Sequence, residues 1–130
     1  LSLIALKVDY YDQFTDVHGN NAAKELAVEL SKVLGGMIRA GDSHYYSDGS
    51  LFYLLLPNTP QEGMLIMTER VRRTIEETKW QTIGTMTVSL GCTTSTEKQT
   101  TAKNLINEVH CALNDAEANG HNRVSHFTQQ

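Results

Sequence analysis

Arg39 and Asp42 stand three residues apart in the segment Arg39-Ala40-Gly41-Asp42. A guanidinium is a rigid planar fork of donors and an ionised carboxylate only accepts. Such a pair can grip a polar ligand from two sides, or the two groups can simply pair with each other at a helix end. On spacing alone the surface ion pair is the plainer reading. Arg70 opens an Arg70-x-Arg72-Arg73 cluster whose plain reading is a solvated basic helix face. Lys7 and Asp9 read as an exposed strand end, and Asp48 before Gly49 is ordinary turn chemistry. His18, His44, His110, His121 and His126 are scattered and make no acid-base or metal set. Cys92 and Cys111 have no CxxC spacing and no ligand-spaced histidines, so neither a zinc site nor a disulfide framework is indicated. Cys111 reads as core, Cys92 as a strand end, and Met64 and Met67 as core filler on a helix.

The chain that must position these groups has 130 residues and a mass of 14.5 kDa, the size of one compact domain. Lys plus Arg number 11 against 15 for Asp plus Glu, and the net charge of -4 argues against a general nucleic-acid binder. At 40% hydrophobic and 20% charged residues the composition is that of a folded protein. The longest apolar runs, residues 3–6 and 51–56, are too short to cross a bilayer. The chain starts with Leu1 and shows no signal peptide, so a piece of a longer, cytoplasmic protein is expected, with no membrane contact by this domain.

Residues 1–11 alternate and then run apolar, predicting a strand buried over most of its length. Residues 13–21 are polar and read as a loop. A helix follows to Met37, with apolar positions at Ala22, Leu26, Val28, Leu30, Val33 and Leu34, its end weakened by Gly35-Gly36. Asp48-Gly49 between two β-prone runs predicts a hairpin. Thr59-Pro60 opens a second helix reaching about Thr78. A strand over residues 86–92 precedes a Thr/Ser loop and a third helix over residues 102–119. Leu105, Ile106, Val109, Ala112, Leu113 and Ala116 form one stripe of that helix, and residues 123–127 make a last strand. The order β-α-β-β-α-β-α-β predicts an α/β fold, a central mixed β-sheet with a ferredoxin-like split βαβ core flanked by helices.

Leu54-Leu55-Leu56-Pro57, Thr87-Val88-Ser89-Leu90-Gly91 and Asn119-Gly120-His121-Asn122-Arg123-Val124, in this order and context, resemble the GGDEF domain over nearly the whole chain. That is the fold of diguanylate cyclases, which join two GTP molecules into cyclic di-GMP. The family's upstream helix and its Asp-x-Leu-Thr-Gly-Leu segment are not in this sequence.

The resemblance places the family's signature hairpin on Asp48-Gly49-Ser50-Leu51-Phe52, where only Gly49 and Phe52 match. It implies a metal ligand at the third position and a guanine contact at the fourth, filled here by Ser50 and Leu51. A hard divalent cation wants carboxylate oxygens. Lys7 stands where the family's other metal-binding Asp belongs, Thr15 and Lys24 where guanine-reading Asn and Asp belong, and Glu117 and His121 where phosphate-binding Lys and Arg belong. On these residues the chain is expected to be no enzyme, and no magnesium site is expected.

The resemblance also implies a product-binding site. Arg39-Ala40-Gly41-Asp42 has the offset of the family's inhibitory Arg-x-x-Asp before the hairpin, and Arg70 aligns with a further product-binding Arg. Arg can grip guanine O6 and N7 or a phosphate, while Asp accepts from the guanine N1 and amino hydrogens. The expected function is a receptor-type signalling domain that binds cyclic di-GMP at Arg39, Asp42 and Arg70 and relays it to an attached domain or partner, with the ligand bridging Arg39 to Arg70, in one form across a homodimer. The alternatives are a ligand-free dimerisation scaffold, and a residual cyclase or GTP-binding regulator with Asp9 and Asp48 as shifted metal ligands.

Overall fold

The computed structural model describes residues 1–95 and 101–128. The elements run β1 (Ser2–Val8), α1 (Tyr11–Met37), β2 (Ser43–Asp48), β3 (Leu51–Leu56), α2 (Gln61–Glu77), β4 (Val88–Thr94), α3 (Ala102–Ala118) and β5 (Val124–His126). The five strands form one sheet in the order β2-β3-β1-β4-β5. Every neighbouring pair is antiparallel except β4 with β5, so the sheet is mixed and its first four strands have the ferredoxin-like plan expected.

β1 is the centre of the molecule because both of its faces are apolar. Ile4, Leu6 and Val8 point to the layer formed by α1 and α2, and Leu3 and Ala5 to α3. Burial on both sides explains a near-continuous hydrophobic run where a half-exposed strand would alternate. β4 lies so close to α3 that a Cβ on Gly91 would stand 2.4 Å from the Leu113 nitrogen and 2.4 Å from the Val109 oxygen. The hairpin between β2 and β3 turns on Gly49-Ser50, with Gly49 at φ 53, and a bulge falls between Tyr46 and Asp48.

Several local expectations are corrected. Residues 13–21 are helical: α1 starts at Tyr11, and β1 stops at Val8. The first turns are polar because most of their surface faces water, while buried Phe14 and half-buried Tyr11 anchor them on the core. Gly19, at φ 88 and ψ 173, kinks the helix there. The end of α1 at Met37 is as expected, and it runs through Gly35-Gly36. Gly35 leaves room for the His44 ring, whose nearest atom would lie 3.3 Å from an added Cβ, and His44 Nε2 meets Ser31 Oγ at 3.1 Å. Cys111, expected in the core, is exposed, as are Ile106 and Val28, because α3 and α1 each bury a narrower stripe than their apolar count suggests. The Thr/Ser loop after β4 lies partly outside the described residues.

Candidate functional site

α1 ends at Met37, and the chain turns through Arg39-Ala40-Gly41-Asp42 into β2. Gly41 makes that turn possible at φ 93, a backbone region costly for any residue with a Cβ. The Asp42 N–H donates to the Arg39 carbonyl at 3.0 Å, and Asp42 Oδ2 accepts from the Arg39 N–H at 3.0 Å. The turn therefore holds the carboxylate by the backbone, and the Arg39 guanidinium has no partner among the described residues. Facing the turn is the loop after β3. Pro57, Asn58 and Thr59 close a cavity of about 100 Å³ with Arg39, Ala40, Gly41 and Asp42.

Arg70 comes from α2 to the same corner. Its Nη2 donates to the Met37 carbonyl at 2.9 Å and lies 3.4 Å from Met67 Sδ. One nitrogen thus satisfies a carbonyl left over at the end of α1, while the side chain is otherwise exposed. The structure brings Arg39 and Asp42 to one cavity and sets Arg70 against the end of the helix leading into them. The loop residues opposite, Asn58 above all, carry no spacing signal in the sequence; only the fold places them here.

The second cluster lies at the end of β1. Asp9 is 7% exposed and accepts from Thr87 Oγ1 at 2.6 Å, Ser89 Oγ at 2.7 Å and the Asn122 N–H at 2.9 Å. It is a buried latch rather than the exposed strand end expected. Asn122 is in turn held by α2, accepting from Arg72 Nη1 at 3.0 Å and donating to Glu76. Arg72 also pairs with Glu69, which keeps the Glu69 carboxyl below its ordinary pKa despite partial burial. Arg72 is thus a network centre and not a solvated face. Lys7 Nζ lies 3.9 Å from Glu117 Oε2. The family resemblance puts a carboxylate at position 7 and a lysine at position 117, so the two signs are exchanged here.

Thr15 Oγ1 donates to the Tyr11 carbonyl within α1, and Lys24 is exposed on the same helix. In the hairpin Asp48 is exposed, Ser50 and Phe52 are buried, and Leu51 is paired opposite Lys7. Asp9 accepts at both of its carboxylate oxygens, from Ser89 at one and from Thr87 and Asn122 at the other.

The family model described as "Diguanylate cyclase, GGDEF domain" matches residues 1–123. The chain belongs to the GGDEF domain family. Among curated relatives, Diguanylate cyclase A of Treponema denticola is 26% identical over 128 residues, covering 96% of this chain and 34% of that protein. Diguanylate cyclase DgcM of Escherichia coli K12 is 29% identical over 123 residues, covering 95% and 30%. This GGDEF domain therefore spans about a third of the length of the curated relatives it matches. Among solved structures, the active GGEEF domain of a diguanylate cyclase from Vibrio cholerae superposes with a TM-score of 0.89 at 21% identity, over 99% of this chain and 83% of that one. The GGDEF domain of DgcB from Caulobacter crescentus, in complex with c-di-GMP, superposes at 0.84 with 18% identity, over 98% and 76%.

These matches correct one expectation. The reading of a non-enzyme rested on residue types at Lys7, Ser50, Leu51 and a few other single positions. The relatives that match almost the whole GGDEF domain are named diguanylate cyclases, and a neighbour of nearly the same fold is described as active. The strand end and hairpin turn that carry those positions belong to the shared fold, so side-chain types alone overstated the departure.

No helix among the described residues is long and apolar enough to cross a membrane.

Proposed function

We propose that this GGDEF domain binds cyclic di-GMP at Arg39, Asp42 and Arg70 and relays its occupancy to an attached domain or partner. The observation that carries the reading is the state of the Arg39–Asp42 turn: a carboxylate fixed by the backbone beside a guanidinium that is not spent on it. Had the two side chains paired, each would have to give up its partner to receive a ligand. As they stand, Asp42 can accept from the N1 and amino hydrogens of a guanine while Arg39 offers its fork to O6 and N7 or to a phosphate. Arg70 is held by one nitrogen and keeps its remaining donors for the ligand.

The relay follows from where Arg70 is anchored. A ligand that draws on Arg70 acts on the Met37 carbonyl and so on the junction of α1 with the turn, favouring one arrangement of that corner over another. The ligand is a symmetric dinucleotide, and a second copy of the domain could supply the Arg facing its other half. Isothermal titration with cyclic di-GMP tests the reading. Micromolar or tighter binding, lost in Arg39→Ala, is expected. Equal binding by both proteins, or binding by neither, overturns it.

A further inference from the structure

We infer that Asn58 is a fourth ligand-contacting residue of this site, beside Arg39, Asp42 and Arg70, supplying an amide donor and acceptor to the nucleotide; this rests on the proposed cyclic di-GMP reading. The loop that carries Asn58 faces the Arg39–Asp42 turn across the shared cavity. Asn58 stands between two fixed neighbours. Pro57 has a ring-locked backbone. Thr59 is buried, and its carbonyl accepts from Ser2 Oγ at 2.7 Å, while the same hydroxyl meets Thr94 Oγ1 at 2.8 Å. The backbone is therefore tied to the central strand on the Thr59 side of Asn58 and stiffened by the proline ring on the other.

The Asn58 side chain has no partner among the described residues and does nothing for the fold. An amide with no partner in the protein can turn to a ligand without breaking a protein hydrogen bond, and the fixed backbone beside it limits where it can reach. The cavity, at about 100 Å³, takes an edge of a nucleotide and not a whole dinucleotide. Asp42 accepts only and Arg39 donates only, so Asn58 is the one side chain lining the cavity floor that offers both functions through a single planar group.

Titration of cyclic di-GMP into wild type, Asn58→Ala and Asn58→Asp, with a melting curve for each, tests this. Asn58→Ala should weaken binding by about fivefold to tenfold, the worth of one net hydrogen bond. Asn58→Asp should weaken it further, since a second carboxylate beside Asp42 repels the ligand's phosphates. Melting temperatures should stay at the wild-type value. Unchanged affinity in Asn58→Ala overturns the contact while leaving the Arg39 site standing. A loss of affinity matched by a lowered melting temperature overturns it too, by placing the effect in the loop's folding. A wild-type protein that does not bind overturns the underlying site and the role of Asn58 with it.

Discussion

Asp42 takes its hydrogen bond from the backbone N–H of Arg39, at 3.0 Å, and not from the Arg39 side chain. The spacing of the two residues suggests a surface ion pair, yet the turn at Gly41 reverses the chain and brings the carboxylate under the Arg39 amide. The negative charge is oriented without being neutralised by the nearest cation. A ligand arriving there meets an acceptor already aimed, and a free fork beside it.

Asp42→Asn should separate charge from shape. The amide oxygen can still accept from the Arg39 N–H, so stability should change by less than about 0.5 kcal/mol. The other half of the side chain becomes a donor facing guanine donors. Affinity for cyclic di-GMP should fall at least about tenfold, as for a charged hydrogen bond exchanged for a clash. Titration calorimetry and a urea melt on the same sample read both quantities.

Asp9 should matter to stability more than its place at a strand end suggests. Replacing it with Ala leaves Thr87, Ser89 and the Asn122 N–H without their shared acceptor. The expected loss is about 2 to 3 kcal/mol. A urea midpoint equal to wild type would show that these donors find water instead.

Gly91→Ala should be among the most damaging single changes in the chain. The added methyl meets α3 backbone atoms at 2.4 Å, and backbone cannot swing aside as a side-chain tip can. A penalty on the order of 3 kcal/mol is expected, read as an early thermal transition or loss of soluble protein.

The two thiols should react in sequence. Cys111 is exposed, whereas burial pushes the Cys92 thiol up to about 11, with a hydrogen bond to Thr68 opposing in part. A thiol reagent under native conditions should label Cys111 alone, and Cys92 only after denaturant is added. Both labelling at one rate would show that β4 opens locally.

Glu29 should make stability acid-sensitive. Partial burial raises its pKa, but the Thr82 hydroxyl and the Gln81 and Thr82 N–H groups outweigh that, with help from Lys32, and hold it below the ordinary 4.5. A carboxyl depressed in the folded state stabilises fully above its unfolded pKa, and that contribution fades as pH falls through the folded value. The melting temperature of wild type should drop more steeply than that of Glu29→Gln as pH falls below about 4.5. Parallel curves would remove Glu29 from the acid response.

Most of the fold was legible because strands buried on two faces and helices with one apolar stripe write distinct periods. The run from Leu3 to Leu6, the Asp48-Gly49 turn and the Leu105–Ala116 stripe each pointed to the right element. The first turns of α1 were not legible, since a mostly exposed helix held by Phe14 and Tyr11 has the composition of a loop. Nor was Asn58, whose neighbours in space are sixteen and nineteen positions away in the chain. The spacing of Arg39 and Asp42 suggested an ion pair where the carboxylate takes a backbone N–H, because whether a turn uses a side chain or an amide depends on the backbone at Gly41.

The central strand precedes both of its partners in the chain, and the second of them, β4, lies more than eighty residues on. Ser2 lies opposite Leu56 on one side and Thr94 on the other, so a ribosome must release most of the domain before β1 has both neighbours. Until then an apolar strand keeps at least one open edge in an unfinished sheet, a species that collects chaperones and self-associates. Closing loops of that length precedes the gain from pairing, which places this domain among the slower folders of its size. Yield during synthesis, more than stability afterwards, is where substitutions in β4 should be felt first.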